Sequence, residues 1–258
     1  MSILKLLRIA TLAVVLVFVA GVTFQDARSA TAWEHPLRVT VYPVAADGSP
    51  AAAAWLAGLD ASHFAPIEQF FRREAGRYPV DIDRPVAIRV GRALAEPPPA
   101  PPVDAGALGI AAWSLRLRFW AWRTLSDQPG PRPQVRMFAL YHDPAVASVL
   151  PDSVGLQKGL IGIVHGFAAR ELAGMNAVVF SHELLHTLGA SDKYERASNL
   201  PLWPDGYAEP AREPLHPQPR AELMAGRLAI GPTEASLPDS LAEVVIGPAT
   251  AREIRWTR

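Results

Sequence analysis

The sequence predicts an α+β fold: a small mixed β-sheet backed by helices, one interior helix, and an irregular C-terminal lobe. Three observations carry this expectation. Short β-rich stretches at 37–44, 85–90, 134–141 and 159–167 are separated by longer stretches with helical spacing. The stretch 177–188 reads as a helix below the sheet, apolar almost all round apart from the face that carries His182 and His186. Residues 195–220 hold six prolines, which exclude regular structure there. No internal repeat is present. With 258 residues, the chain can bury a sizeable core in a single domain.

Taken in order, residues 1–32 read as an export segment. Lys5 and Arg8 give a positive start, 9–24 is uncharged, and Ala30-Thr31-Ala32 offers a small-x-small cleavage site. The 16-residue run is long for a signal core and short for a membrane span, so cleavage and retention as a single anchor both stand. Either way the body faces outside the cytoplasm, because the positive end stays inside. The expected product is periplasmic or extracellular, secreted or tethered by this one segment. The body is expected to be a single domain, 33–258, with an upper lobe at 33–189 and a lower lobe at 190–258.

Residues 37–44 (LRVTVYPV) alternate as a strand does. Residues 61–77 predict a helix, with Phe64, Ile67, Phe70 and Phe71 at helical spacing, and 85–90 predict a second strand. The PPPAPP run at 97–102 predicts a stiff surface loop within the domain. Residues 106–125 predict a helix. Trp113, Leu117 and Trp120 share a face, which suits packing against a sheet. Phe119 and Trp122 lie elsewhere, beside Arg116, Arg118 and Arg123, which suits a membrane surface.

The strand at 159–167 (GLIGIVHGF) is interrupted by glycines, which let another backbone approach. His165 within it is either a structural histidine or one that faces a cleft. The chain ends in a short apolar segment and a helix from about Thr250. The 25 basic and 25 acidic side chains balance, so no basic field suits nucleic acid. Without cysteine there are no disulfides, thiolate ligands or cysteine nucleophile.

The chemistry concentrates in His182, Glu183 and His186, spaced H-E-x-x-H. Residues four apart lie on one helix face about one turn apart, so both imidazoles can reach one Zn²⁺. Glu183 sits at the edge of that face, where it can act as a base on a water at the metal without ligating. Composition predicts roughly 0.01 accidental matches to this pattern. The bland alternative is a buried helix with two satisfied histidines. Gly189 is a natural helix stop.

The longer run HELLHTLGASD reads H-E-x-x-H-x-x-G-x-x-D. It resembles the metzincin zinc peptidases, whose motif ends in a third histidine. Asp192 stands at that place, and is similar in this to the snapalysin-type secreted peptidases. The resemblance implies one Zn²⁺ per chain on His182, His186 and Asp192, with Glu183 as general base in hydrolysis of a peptide or protein substrate. The segment Ala221-Glu222-Leu223-Met224-Ala225-Gly226 looks like that family's methionine turn. Met224 would then form an apolar floor beneath the metal and not a ligand.

The resemblance also implies that 159–167 is an edge strand above the metal helix, pairing with extended substrate. His165 would polarise the substrate carbonyl, and Tyr207 on the proline-rich loop is a candidate oxyanion helper. Two alternatives remain. Glu209 or Glu213 supplies the third ligand, or the chain is a non-catalytic envelope binding or scaffold protein with a vestigial zinc site. Glu183 argues against the second, because a structural site has no use for a base.

Overall fold

Strand β1 (Leu37–Ala45) is buried at every position except Arg38 and Ala45. Such a strand needs neighbours on both edges and cover on both faces. The computed structural model, which describes residues 24–102 and 105–257 with Lys5, Arg8, Val14 and Gly21, supplies both. β1 lies in a five-stranded sheet with β2 (Val86–Val90), β3 (Val135–His142), β4 (Val154–Leu156) and β5 (Ile161–Phe167), in the order β2-β1-β3-β5-β4. The first four strands in that order are parallel, and β4 is antiparallel to β5. The chain is therefore a mixed α/β structure built on a mixed sheet.

Alternation assigns the two faces. Leu37, Val39, Val41, Val135, Met137 and Ala139 point to one side. There they meet Ile67, Phe70 and Phe71 of α2 (Ala65–Ala75) and the apolar side of α4 (Ala173–Leu188). Tyr42, Val44, Phe138, Leu140, Ile161 and Ile163 point to the other, against Trp113, Leu117 and Ala121 of α3 (Ala107–Leu125). Helices thus cover both faces, and the spacing of Trp113 and Leu117 correctly marks the side of α3 that packs. One further helix, α1 (Pro50–Gly58), escaped the sequence reading. Its signals were present: Ser49 caps the Ala52 N–H and Pro50 opens the helix.

The lower lobe follows its prolines. Residues 195–220 contain only isolated bridges. Beyond them come β6 (Ala221–Glu222) paired with β9 (Val244–Val245), and the hairpin of β7 (Leu228–Gly231) and β8 (Glu234–Ser236). These strands are too short for alternation to reveal. The closing helix α5 (Pro248–Glu253) starts slightly before Thr250, because Pro248 is set for a first turn. Both lobes share a core: Leu223, Val244, Ile254 and Trp256 belong to the same buried cluster as Phe71 and Leu185. Buried Glu74 of α2 accepts the Ile246 N–H at 2.9 Å and locks the C-terminal segment in place.

Most of the expected export segment, including nearly all of 9–24, lies outside the described residues. Among the described residues, no helix is long and apolar enough to cross a membrane.

One expectation is corrected. The strand at 159–167 is not at the edge, since β5 runs between β3 and β4. The edge strand on this side of the sheet is β4, whose three residues give no periodic signal. It lies directly on α4 because its middle residue is Gly155. A Cβ there would collide with the Glu183 carbonyl oxygen and lie 2.5 Å from His186 Cβ. Gly155→Ala is therefore expected to push β4 off the helix and destabilise the fold by about 1–3 kcal/mol. Chemical denaturation measures this, and an unchanged midpoint would contradict the contact.

Candidate metal centre

The site begins where α4 ends. Gly189 takes a left-handed conformation (φ 102), and the N–H groups of Gly189 and Ala190 return to the carbonyls of His186 and Leu185. This turn stops the helix and sends the chain back across its last turn. Two consequences follow. The Ala190 carbonyl oxygen comes within 2.8 Å of His186 Nδ1, and Asp192 is brought beside both histidines.

His182 is oriented from the other side. Its Nδ1 lies 2.9 Å from the Leu223 carbonyl oxygen. A carbonyl only accepts, so each imidazole carries its proton on Nδ1 and its neutral form leaves Nε2 bare. The two Nε2 atoms are 3.0 Å apart. Asp192 Oδ1 lies 3.0 Å from one and 3.3 Å from the other, and is buried without a hydrogen-bond partner. Three lone-pair donors thus converge with no proton directed between them. Such an arrangement repels itself unless a positive charge sits at the centre.

With no ion between them, a proton can supply that charge. Contact with both imidazoles holds the Asp192 carboxyl well below the usual carboxylate range. Burial pushes the His182 imidazole down, but Asp192 and Glu183 more than offset it and the net direction is up. One atom from each of His182, His186 and Asp192 falls within 4.8 Å of the others, so the three can hold one divalent cation. The donor set, two imidazole nitrogens and a carboxylate oxygen, suits zinc.

Glu183 stands apart from this cluster. It is buried, and its Oε2 has no hydrogen-bond partner. Burial raises its pKa, the two histidines pull it down, and the net direction is up.

His182 abuts the turn Leu223–Ala225, closed by Gly226 at φ 68. Met224 is fully buried in it. The Leu223 carbonyl orients His182, while the Met224 carbonyl accepts the Lys193 N–H at 2.9 Å, next to Asp192. One turn therefore positions both ligand segments. Glu222 fixes the turn in its place. Its buried carboxyl accepts from the N–H groups of Met224, Ala225 and Gly247 and from the Thr250 hydroxyl, at 2.6–3.1 Å. Sequence reasoning passed over Glu222. Its signal was an acid immediately before an apolar turn ending in glycine.

These groups open into a cleft of about 780 Å³. Ser153, Val154 and Gly155 form one wall, and Tyr194, Arg196 and Asn199 line another. Tyr194, two residues past Asp192, was not singled out in the sequence. His165 does line the cleft, but its Nδ1 is 2.9 Å from His142 Nε2. Burial first, and His142 second, push its pKa down to about 4.

A ring that stays neutral to about 4 when folded, but takes a proton at about 6.5 when unfolded, lets the unfolded chain bind more protons between these values. Stability should then be full above pH 6.5 and fall towards pH 4. Denaturation midpoints across this window should show a shallower slope for His165→Phe. An identical slope would contradict the shift.

Tyr207 does not line the cleft. It is buried in the lower lobe with its hydroxyl 3.2 Å from His216 Nε2, so the expected oxyanion role is not supported by its position. Glu209 lies 3.6 Å from Arg212, and neither it nor Glu213 joins the ligand cluster or the cleft wall. Compared with family models and with curated proteins, the chain finds no match.

Proposed function

We propose that the chain is a zinc-dependent peptidase of metzincin-like design, exported through its N-terminal segment. One observation carries the proposal. Three bare acceptors converge beside a buried, unpartnered glutamate at the wall of an open cleft. The zinc, when bound, supplies Lewis acidity towards water and the substrate carbonyl.

The rest falls to the chain. His182, His186 and Asp192 would hold the ion, with their outer atoms fixed by Leu223, Ala190 and the turn beneath. Glu183 Oε2 takes a proton from the attacking water and delivers it to the leaving amine. Among the described residues β4 pairs only with β5, which leaves its other edge for an extended peptide backbone. Met224 serves as floor, in keeping with the resemblance at 221–226.

The test is hydrolysis of a mixed peptide library by the purified full chain. Activity should disappear with a chelator and return with zinc. A chain that binds zinc tightly but cleaves nothing would favour the envelope binding or scaffold alternative.

A further inference from the structure

Helix α3 needs one apolar side to cover the sheet, and it has two. Trp113, Leu117 and Ala121 are buried against the strands. On the opposite side Leu108, Leu115, Phe119 and Trp122 are 88%, 64%, 61% and 69% exposed. Their spacings of seven, four and three residues place them on one line about 21 Å long. The side away from the core is where a covering helix ordinarily carries polar groups. The Phe119 and Trp122 rings lie 5.8 Å apart and form a continuous aromatic surface.

The stripe is bordered by positive charge. At helical spacing Arg116 and Arg123 flank one side, Arg118 on the other is half-buried and donates to the Lys158 carbonyl, and α3 contains no acidic residue. The ion pairs among the described residues include neither Arg116 nor Arg123. A second copy packed symmetrically on this stripe would bring the same arginines together, which opposes association. An anionic lipid surface satisfies both features at once. Acyl chains and the headgroup boundary take Leu, Phe and Trp, while lipid phosphates take the arginines.

We propose that α3 lies in the headgroup layer of an anionic membrane and orients the domain on it. The uncharged run 9–24 would bring the same chain to a membrane, and a second attachment fixes which way the domain faces. The inference does not depend on the metal centre.

The chain has no cysteine, so Leu115→Cys carries a single environment-sensitive label on the full chain. Glu234→Cys, exposed on β8, is the control. Vesicles of equal parts phosphatidylglycerol and phosphatidylcholine, with brominated acyl chains, should quench the label at 115 and spare the one at 234. Replacing Arg116 and Arg123 by Gln should shift the equilibrium between quenched and unquenched 115 label about 30-fold towards the unquenched form, at about 1 kcal/mol per arginine. Three results would overturn the proposal. The 115 label stays unquenched while the chain floats with the vesicles, both labels quench equally, or labels at 115 on separate copies transfer energy without lipid. The last would mean that a second copy covers the stripe.

Discussion

Glu183→Gln is expected to keep its zinc and lose hydrolysis by about 10²–10⁴-fold, the usual contribution of a general base. The side chain lies outside the ligand cluster, so metal content should not move. Glutamine matches the shape but cannot accept and return a proton. The loss should appear in kcat, because proton transfer belongs to the chemical step. A second readout separates this role from a structural one. Glu183 is a buried acid whose Oε2 has no partner, an arrangement that lowers stability. The neutral amide should therefore leave the denaturation midpoint unchanged or higher. Retained activity in this variant would remove Glu183 from the mechanism.

Asp192→Ala is expected to lower zinc affinity by more than the about 10–100-fold that loss of an outer hydrogen-bond partner costs. Two imidazoles on one helix face remain, but the anion that completes the convergence is gone. Asp192→His should restore binding, because an imidazole at this place matches the commoner metzincin pattern. Glu209→Gln and Glu213→Gln should leave metal content unchanged, since both carboxyls lie away from the cluster. Titration with zinc, followed by a chromogenic competitor, measures all four. Zinc retained in Asp192→Ala and lost in either glutamine variant would transfer the third-ligand role to the proline-rich loop.

The parts of this site that the sequence made legible are those set by local geometry. The spacing of His182 and His186 fixes a shared helix face, and Gly189 fixes where the chain reverses. The sheet was legible for a related reason. Buried strands such as 37–44 must carry apolar side chains over most of their length. What was missed depends on non-local contact. β4 is three residues long and is defined only by pairing with β5 and by the close approach of Gly155 to α4. The His142–His165 pair arises because β3 and β5 are parallel and in a register that brings their C-terminal ends together. Nothing at either position alone announces it. The position of Tyr207 was not legible, because a proline-rich loop excludes helices and strands without saying where its side chains go. Glu222 was overlooked because its four donors come from three separate segments, 224–225, 247 and 250.

The central claim is that His182, His186 and Asp192 hold one zinc ion beside Glu183. Crystals of the zinc-loaded chain, measured on both sides of the zinc absorption edge, test it most directly. One anomalous peak per chain is expected, about 2.0–2.2 Å from Nε2 of His182, Nε2 of His186 and a carboxylate oxygen of Asp192. No peak between these three side chains, or a zinc held instead by Glu209 or Glu213, would contradict it.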